Sequence, residues 1–578
     1  TIALHKQGAY ADVVLRCESA LARTPDDAPV LNLLASALLA QGKAREGIAR
    51  LARATALAPS AQAHSQLGSV LARIGDFDDA IAHYRAALDI SHEFVEAWST
   101  LGALYKALGR YDEAEECCLK ACGLAPRDAA IRHVLATVYF EQARVDEAIA
   151  AVRQSLALDP DDPPAHSTLL RMLWYSDRAA PPEIFEEHKA WAARHERTPA
   201  AGATPHANDR DPARRLRVGF VSPYIHKHAV TFFLESVIEH HDRAALEIFL
   251  YADVARPDDY SRRLEKYGAH WRSAVDLDHA ALAQLVKDDA IDILVDLSGH
   301  TANNRLLTFA MKPAPVQVNW LGFPSTTGMR AMDYRITDAY CDPPGMTERF
   351  NSEQLVRLPG IYMAWRAPDE TPPVAPLPAL ANGCVTFGTF HSAFKISPTI
   401  ARLWARILDR VPKSRLRVLA VSGRSAERHM RELFAGCGIA PERLEIRPRL
   451  SFAEYLAEYA TVDIALDTFP YHGATTTCFA LWMGLPVVVL AGTAHASRAD
   501  VSMLTHVGLP DLIAATGDQY VEIAAQLAAD VNKLADLRSN LRGVMQRSPN
   551  ADGKTCARNL ERAFREMWKT WCAKPEQR

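Results

Sequence analysis

The stretch LDTFPYHGATTTCFALWMG, residues 466–484, places a glycine and three threonines directly before an apolar, helix-forming run. Gly473 has no Cβ, so the backbone there can approach a ligand closely. Thr475 and Thr476 add hydroxyl groups to the free N–H groups of a helix N-terminus, which attracts anions. The turn therefore predicts an anion site of the kind that binds phosphate, with an ordinary N-cap as the alternative interpretation.

A cation stands before a second predicted helix. Lys395 in FHSAFKISP precedes a helix that we expect Ser397 to cap, with Pro398 at its first position. A lysine and helix N-termini together can neutralise a diphosphate without a metal ion, and a solvated lysine is the alternative interpretation. The acidic stretch VDLD at 275–278 precedes a predicted helix over 279–287 and is interpreted as its cap, so we expect no metal site.

Two histidines follow the predicted strand LRVGFVS, residues 216–222. His226 and His228 lie in the first loop after this strand, where ligands of α/β sheets bind, and simple solvent exposure is the alternative. A glycine-rich turn, WLGFPSTTG at 320–328, ends another strand and can approach a ligand through its backbone. These segments are the candidates for ligand contact in the first α/β half of the chain.

Composition and motifs disfavour several classes of protein. Neither α/β half carries GxGxxG after its first strand, and GxxxxGK[ST] is absent, which disfavours dinucleotide oxidoreduction and a P-loop. A net charge of −4 argues against nucleic acid or an anionic membrane as a partner engaged by bulk charge. No apolar run reaches the roughly 18 residues of a membrane span, and no signal-peptide pattern opens the chain. Because the ten cysteines form no CxxC pair, we expect reduced thiols in a cytoplasmic protein.

The first third of the chain is a repeat. Units that share one template begin at Gly42, Gly75, Gly109 and Ala143, so the spacings are 33, 34 and 34 residues. A period near 34 with paired Leu and small residues in the preceding helices is typical of tetratricopeptide repeats. We predict an all-α superhelix over residues 1–175, with a concave groove that docks extended polypeptide. A purely structural scaffold is the alternative.

Alternating strands and helices follow the repeats. A helical linker is predicted over 176–215, an α/β domain over 216–375, a second α/β domain over 384–555 and a final helix over 556–578. The proline-rich stretch 372–383 separates the two α/β sets. Two doubly wound parallel sheets in series predict two Rossmann-like lobes with a ligand cleft between them.

Five ordered motifs resemble those of the O-GlcNAc transferase family: LRVGFVSPYIHKHAV, PAPVQVNWLGFPSTTG with MDYRITD, FHSAFKISP, DIALDTFPYHGATTTCFALWMGLPVV, and ASR. The resemblance covers nearly the whole chain, and the compact join between the lobes looks like that of bacterial and plant members. It implies a nucleocytoplasmic, inverting enzyme of GT-B fold with tetratricopeptide repeats ahead of the catalytic lobes. It also implies UDP-GlcNAc as the donor, no metal cofactor, and protein acceptors docked on the repeats.

The resemblance also implies roles for individual residues. The active-site histidine of the family falls on His228, and the lysine that neutralises the leaving diphosphate falls on Lys395. The implied donor-binding residues are Leu321, Gly322, Ser392, Lys395, Leu450, Tyr471, His472, Gly473, Thr475 and Thr476. His226 and Tyr224 are additional candidates.

Several positions differ from the family pattern. Tyr224 stands where many relatives have an aspartate, and Phe479 stands where an aspartate grips the ribose. Phe452 and Tyr455 fall on the lysine and histidine that frame the uridine in animal members. Loss of a carboxylate–ribose hydrogen bond costs roughly 1.5–3 kcal/mol, or about 10- to 150-fold in donor affinity.

Three functions remain open at this point. The first is metal-independent, inverting transfer of GlcNAc from UDP-GlcNAc to Ser or Thr of proteins, with either His228 or the α-phosphate of the donor as the base. The second is protein O-fucosyl transfer from GDP-fucose, as in plant relatives of this architecture. The third is a repeat scaffold with a degenerate transferase body.

A second active-site histidine, present in animal members, has only His188 and His195 as candidates.

Overall fold

The computed structural model of the chain describes residues 1–196 and 206–575. Residues 197–205 of the predicted linker and residues 576–578 of the predicted final helix lie outside the described residues. The described chain forms two units, Thr1–Tyr139 and the remainder from Phe140.

The chain up to the unit boundary is helical. Its helices are Ile2–Lys6 (α1), Tyr10–Leu21 (α2), Ala28–Ala40 (α3), Ala44–Leu57 (α4), Ala61–Ile74 (α5), Phe77–Ile90 (α6), Val95–Ala107 (α7), Tyr111–Leu124 (α8) and Ala129–Glu141 (α9). Consecutive helices pack as antiparallel pairs joined by short turns, such as the one at Gly75, whose φ of 89° only glycine adopts without strain.

Small residues let these helix pairs approach closely. A Cβ on Gly68 of α5 would lie 3.1 Å from the carbonyl oxygen of Ala80 in α6. A Cβ on Gly102 of α7 would lie 3.0 Å from the Sγ of Cys118 in α8. The predicted helix–turn–helix repeats are therefore confirmed, and in two of them a glycine marks a close contact between the paired helices.

Three further helices complete the repeat-like region: Val145–Leu158 (α10), Pro163–Leu173 (α11) and Pro181–His195 (α12). The repeat pattern in the sequence predicts a helical domain to residue 175, whereas the first unit closes at Tyr139. α10 to α12 belong to the same unit as the α/β lobes, because their side chains contact both lobes: Ser167 of α11 bonds to His300, and Asp177 beyond it bonds to Thr399.

The N-terminal lobe contains a seven-stranded parallel sheet. Its strands are Leu216–Ser222 (β1), Leu246–Ala252 (β2), His270–Ser273 (β3), Ile293–Asp296 (β4), Val316–Asn319 (β5), Tyr334–Asp338 (β6) and Gln354–Leu358 (β7). Its helices are Ala229–His240 (α13), Asp259–Lys266 (α14), His279–Asp288 (α15) and Leu306–Ala310 (α16). The strand order is β3-β2-β1-β4-β5-β6-β7, so the order reverses beside β1.

The C-terminal lobe contains a six-stranded parallel sheet. Its strands are Thr386–Thr389 (β8), Arg415–Val421 (β9), Leu444–Pro448 (β10), Ile464–Leu466 (β11), Val487–Leu490 (β12) and Ile513–Ala514 (β13), in the order β10-β9-β8-β11-β12-β13. Its helices are Pro378–Asn382 (α17), Pro398–Arg410 (α18), Arg424–Gly436 (α19), Phe452–Glu458 (α20), Thr475–Trp482 (α21), Ala499–Val507 (α22), Gly517–Ala529 (α23) and Val531–Arg547 (α24). The prediction of two Rossmann-like lobes is confirmed.

The last helix returns to the N-terminal lobe. Gly553–Ala573 (α25) packs so closely on α13 that a Cβ on Gly553 would lie 2.7 Å from the carbonyl oxygen of Ser236. The side-chain amide of Asn559 in α25 donates to the carbonyl oxygen of Pro359 at 2.6 Å, just after β7. Among the helices that the structure describes, none combines the length and the apolar character needed to cross a membrane.

Candidate functional site

A cavity of about 470 Å³ opens at the carboxyl ends of the C-terminal-lobe strands and reaches Ala229, the first residue of α13 in the N-terminal lobe. Ligands of doubly wound sheets bind at this edge, where the strand order reverses. Six predicted residues line the cavity: Ser392, Lys395, Leu450, Gly473, Thr475 and Thr476. The other lining residues are Glu141, Phe390, His391, Ala393, Phe394, Leu419, Ala420, Ser422, Pro448, Arg449, Phe452 and Tyr455. The predicted anion turn and the predicted cation therefore meet at one cavity.

The threonine turn is the start of α21. The helix begins at Thr475, and Ala474 before it has a left-handed φ of 51°. Gly473 is required by space, because a Cβ there would lie 2.3 Å from the Nε2 atom of His391. Thr475 and Thr476 line the cavity, so the positive end of the helix dipole faces the cavity.

Two buried carboxylates hold this turn from behind. The N–H of Gly473 donates to Asp467 at 3.1 Å and to Asp500 at 3.0 Å, and the N–H of Ala474 donates to Asp500 at 2.9 Å. The hydroxyl of Thr477 donates to Asp500 at 2.6 Å. The first two N–H groups of the turn thus point into the protein, which fixes the backbone and directs the next two threonines toward the cavity.

The same carboxylates lie beside the ring of His472. Asp467, His472 and Asp500 are close enough together to surround a cation. The His472 Nδ1 accepts the N–H of Asp500 at 3.3 Å and its Nε2 donates to the carbonyl oxygen of Leu490 at 3.0 Å, whereas the buried Oδ2 atom of Asp467 has no hydrogen-bond partner among the described residues. The turn thus bonds to three of the four carboxylate oxygens. The buried ring of His472 supports the turn and does not line the cavity.

Lys395 lies in a short 3-10 turn, Ala393–Lys395, ahead of α18. Its Nζ donates to the carbonyl oxygen of His472 at 2.8 Å and lies 4.4 Å from the centre of the Tyr471 ring. Burial lowers the pKa of Lys395 to about 8, and the nearby Asp467 and Asp500 oppose that shift. One hydrogen bond uses one of three ammonium N–H donors, so the group keeps donors for a phosphate in the cavity.

His228 caps α13. Its Nδ1 accepts the backbone N–H of Val230 at 3.2 Å, so the proton of the neutral ring resides on Nε2. Burial, helped by the neighbouring His226, lowers the pKa of His228 to about 4. The neutral ring is therefore a hydrogen-bond donor through Nε2, one residue before the cavity-lining Ala229.

The ring of Tyr224 orients the ring of His228. The two rings stack with centres 4.2 Å apart and planes 13° from parallel. The Tyr224 hydroxyl donates to the carbonyl oxygen of Ala302 at 3.0 Å. The ring of His228 is thus held by its stack on Tyr224. The ring of His226 lies 5.8 Å from that of His228 and lines no part of the cavity.

One part of the cavity wall is aromatic. Phe452 and Tyr455 line it beside Leu450. Phe479 is 4% exposed, and its ring centre lies 5.8 Å from that of Phe452, 6.2 Å from that of Tyr455 and 5.2 Å from that of Trp365. Phe479 therefore fills an apolar space behind the wall, and this chain has no carboxylate at that position to bind a ribose.

The predicted glycine turn of the N-terminal lobe is tightly packed. Leu321 has a left-handed φ of 82°, and a Cβ on Gly322 would lie 1.7 Å from the carbonyl oxygen of Leu297. Downstream in the same turn, the N–H of Thr327 donates to the buried Glu353 carboxylate at 2.6 Å. Leu321 and Gly322 follow β5 at the same sheet edge as the His228 loop, although neither lines the cavity.

The two candidates for a second active-site histidine do not line the cavity either. His188 and His195 are buried in α12. His188 Nδ1 bonds to the carbonyl oxygen of Ile184 at 2.7 Å, and His195 Nε2 lies 3.2 Å from Nδ1 of His166. Burial lowers the pKa of each to about 4, so both are neutral packing groups between α12 and its neighbours.

Some contributors to the site were not predicted from the sequence. Asp467 directly follows β11, and Asp500 follows the ASR motif by two residues. Both are acidic residues at a strand or helix end near a quoted motif, which was the available signal. Tyr175 packs its ring on Tyr471 with centres 4.4 Å apart, and no local pattern marks it.

Two parallel α/β lobes, a cavity at the carboxyl ends of their strands and helical repeats upstream are the architecture of the GT-B class of glycosyltransferases with tetratricopeptide repeats. The sequence profile of glycosyl transferase family 41 matches residues 157–365 and 377–560, and tetratricopeptide repeat profiles match residues 32–92 and 93–161. The chain belongs to glycosyltransferase family 41.

Three similar proteins are named as O-GlcNAc transferases or peptide N-acetylglucosaminyltransferases. A solved structure of an O-GlcNAc transferase mutant from Thermobaculum terrenum has a TM-score of 0.83 and 38% identity, and the match covers 89% of this chain and 98% of that one. A Solanum lycopersicum protein, probable UDP-N-acetylglucosamine–peptide N-acetylglucosaminyltransferase SPINDLY, is 40% identical over 72% of this chain and 45% of its own length. The Caenorhabditis elegans UDP-N-acetylglucosamine–peptide N-acetylglucosaminyltransferase is 25% identical over 62% of this chain and 41% of its own length. The chain thus spans less than half the length of these two relatives.

Proposed function

We propose that this chain transfers GlcNAc from UDP-GlcNAc to serine or threonine hydroxyls of proteins, with inversion and without a metal ion. The observation that carries the proposal is the meeting of Lys395 with the Thr475–Thr476 helix start at one cavity. A cation and a helix N-terminus are what a leaving diphosphate requires when no metal neutralises it. The names of the similar proteins support this donor, and they do not favour the GDP-fucose alternative.

The proposed reaction is a single in-line displacement. The acceptor hydroxyl oxygen forms a bond to the anomeric carbon of GlcNAc while the bond from that carbon to the β-phosphate oxygen breaks, and the electron pair leaves with UDP. Charge therefore grows on the diphosphate in the transition state. The Lys395 ammonium group and the N-terminus of α21 are fixed before the reaction, so they stabilise that charge without reorganising.

The proton of the acceptor hydroxyl goes, in this proposal, to an α-phosphate oxygen of the donor. The geometry of His228 supports this assignment. Its Nδ1 is occupied by the N–H of Val230, which leaves a protonated Nε2 that can donate but cannot accept a proton. His228 then serves as a donor that holds a phosphate or sugar oxygen, and Tyr224 holds its ring in place.

The remaining parts of the proposal concern binding. Ser392, Gly473 and the two threonines would contact the diphosphate, and the backbone near Leu450 would contact the base. Because Phe479 is apolar and buried, ribose binding would rely on backbone and aromatic contacts of the cavity wall. The repeats would dock the acceptor polypeptide. All ten cysteines are free thiols in the described structure, which supports the cytoplasmic location that we include in the proposal.

Calorimetric titration with UDP, GDP and UDP-GlcNAc, each with and without EDTA, tests the proposal. The variants are Lys395→Met, which removes the charge and keeps the length, and a control, Lys569→Met, at an exposed lysine of α25. We expect UDP to bind in EDTA, Lys395→Met to weaken it and Lys569→Met to leave it unchanged. Tighter binding of GDP than UDP would transfer the proposal to a GDP-sugar. Absence of nucleotide binding would contradict a transferase and leave the repeats as the functional part.

A further inference from the structure

The turn after α11 contacts the C-terminal lobe on both sides of Lys395. We infer that Tyr175, in this turn, is a positioning residue for Lys395, and that Asp177 assists it. The inference rests on the proposed role of Lys395 in binding the diphosphate. In this inference, the end of the repeat region acts on Lys395 through the rings of Tyr471 and Phe394.

The first contact runs through Tyr471. The rings of Tyr175 and Tyr471 stack with centres 4.4 Å apart and planes 16° from parallel. The Nζ of Lys395 lies 4.4 Å from the centre of the same Tyr471 ring. Tyr471 therefore contacts the ammonium group and Tyr175 with the same ring, so loss of the stack would change the surface against which the ammonium group rests.

The second contact reaches the residue before the lysine. The ring of Tyr175 meets the ring of Phe394 edge to face, with centres 5.2 Å apart and planes 84° from parallel. Phe140 stacks on Phe394 with centres 4.3 Å apart and also meets Tyr175 at 5.2 Å. Aromatic groups in these geometries attract one another beyond the burial of their area. The 3-10 turn that ends at Lys395 is thus held by rings from the end of α9 and from the turn after α11.

The third contact lies beyond the lysine. The Oδ2 atom of Asp177 accepts two hydrogen bonds from Thr399, one from the backbone N–H at 2.9 Å and one from the side-chain hydroxyl at 2.6 Å. Thr399 is in the first turn of α18, where a carboxylate is also favoured by the helix dipole. Residues 394 and 399 are therefore both tied to one short turn, and Lys395 lies between them.

The proposed reaction requires the Lys395 ammonium group to be held in one position. A lysine side chain has four rotatable bonds, so a lysine in an open loop samples many positions. Transition-state stabilisation needs the ammonium group in one position before the charge develops. The aromatic stack and the Asp177 bonds restrict the backbone and the ring against which Lys395 rests.

A double-mutant cycle on UDP affinity separates positioning from general stability. The effect of Tyr175→Ala on the affinity for UDP is measured by titration in two backgrounds, the wild-type chain and the Lys395→Met variant. We expect Tyr175→Ala to weaken UDP binding about 5- to 20-fold in the wild-type chain and less than about 2-fold in Lys395→Met, because the lysine through which it acts is gone. A structural role would give equal losses in both backgrounds, and that result would overturn the inference.

Further variants complete the test. Tyr175→Phe keeps the stack and should bind UDP within about 2-fold of wild type, whereas Asp177→Ala should weaken it in the wild-type background alone. Tyr340→Ala, at a tyrosine 43% exposed on the N-terminal lobe, is the matched control. If Tyr175→Ala fails to fold, Tyr175→Leu, which keeps apolar volume without a ring, runs through the same cycle.

The outcomes distinguish the two proposals. If Lys395→Met binds UDP as the wild type does, the proposed function fails and this inference is overturned with it. If Lys395→Met weakens binding while Tyr175→Ala and Asp177→Ala do not, only the positioning role is overturned. If Tyr175→Phe loses as much affinity as Tyr175→Ala, the ring stack is not the cause and the inference is overturned.

Discussion

The Nδ1 atom of His228 accepts the backbone N–H of Val230 at 3.2 Å, so a helix cap decides which ring nitrogen carries the proton. The Nε2 of the neutral ring is then a donor, and a general base would need the opposite arrangement. Under the proposed function, this hydrogen bond bears on how the acceptor hydroxyl loses its proton.

We predict that His228→Gln keeps transfer activity within about 10-fold of wild type, because the glutamine amide also offers an N–H donor. His228→Phe should lose more activity, since it removes the donor. The comparison is made on kcat/KM for donor with a fixed acceptor polypeptide. A general base is worth about 10²- to 10⁴-fold, so a loss of that size in His228→Gln would contradict the donor role.

For Lys395→Met, we predict a loss of transfer of about 10²- to 10³-fold, the usual cost of removing one fixed group that stabilises developing charge. The fold should remain, because the methionine can still pack on Tyr471. Turnover and the thermal unfolding midpoint are measured on the same preparation, with Lys569→Met alongside. Near-wild-type turnover in Lys395→Met would rule out the leaving-group role.

The affinity for UDP should depend on pH through Lys395, whose pKa burial lowers to about 8. The ammonium form binds the diphosphate, so affinity is full below that pKa and falls as pH rises through it. The expected fall is at most about tenfold per pH unit for one proton. Titrations at pH 7, 8 and 9 measure it. Lys395→Met should lack this component, and an equal pH dependence in that variant would assign it to another group.

Gly322→Ala should destabilise the N-terminal lobe and lower transfer together. Its new Cβ would lie 1.7 Å from the backbone oxygen of Leu297, so one of the two backbone segments must move. Overpacking of this kind typically costs about 1–3 kcal/mol or more. Gly436→Ala, near the end of α19 where a Cβ meets nothing within 4 Å, is the control and should be neutral or stabilising. The thermal unfolding midpoints of both variants test this prediction. Equal midpoints would contradict the tight packing at Gly322.

Restoring the carboxylate of the family pattern in Phe479→Asp should not restore ribose binding. Phe479 is 4% exposed among aromatic rings, so an aspartate there leaves a cavity and an unpaired charge. We expect a loss of stability of about 3–5 kcal/mol or more and no gain in UDP affinity. Phe479→Leu, which keeps an apolar side chain, should lose less. A stable Phe479→Asp with tighter UDP binding would show that the position faces the ligand.

Much of the architecture followed from local patterns. The repeat period predicted the helix pairs, and the alternation of strands and helices predicted both parallel sheets. Ser397 caps α18 as expected, since its hydroxyl accepts the N–H of Ile400 at 3.2 Å. The helix predicted from the apolar run after the threonines is α21, and it begins at Thr475, so the threonines form its first turn. Such features depend on hydrogen bonds and side-chain faces within a few residues, and the sequence displays those directly.

The direction in which side chains point was harder to predict from the sequence. Tyr471 and His472 are neighbours in one turn, yet the structure directs the first against Tyr175 and buries the second against Leu490. Phe479 shows the same limit. The family pattern marks it as a departure, and only its burial among aromatic rings explains why an apolar residue fits there.

By itself, the sequence determined the order of the helical repeats and the two lobes, the threonine turn at the start of α21 and the place of Lys395 ahead of α18, because each is encoded by contiguous residues. Only the tertiary structure decided which distant groups complete them. Asp500 fixes the turn from 27 residues beyond Gly473, and Tyr175 reaches Tyr471 from the end of the repeat region. Contacts of this kind depend on how strand ends and helices converge in space, which no local spacing specifies.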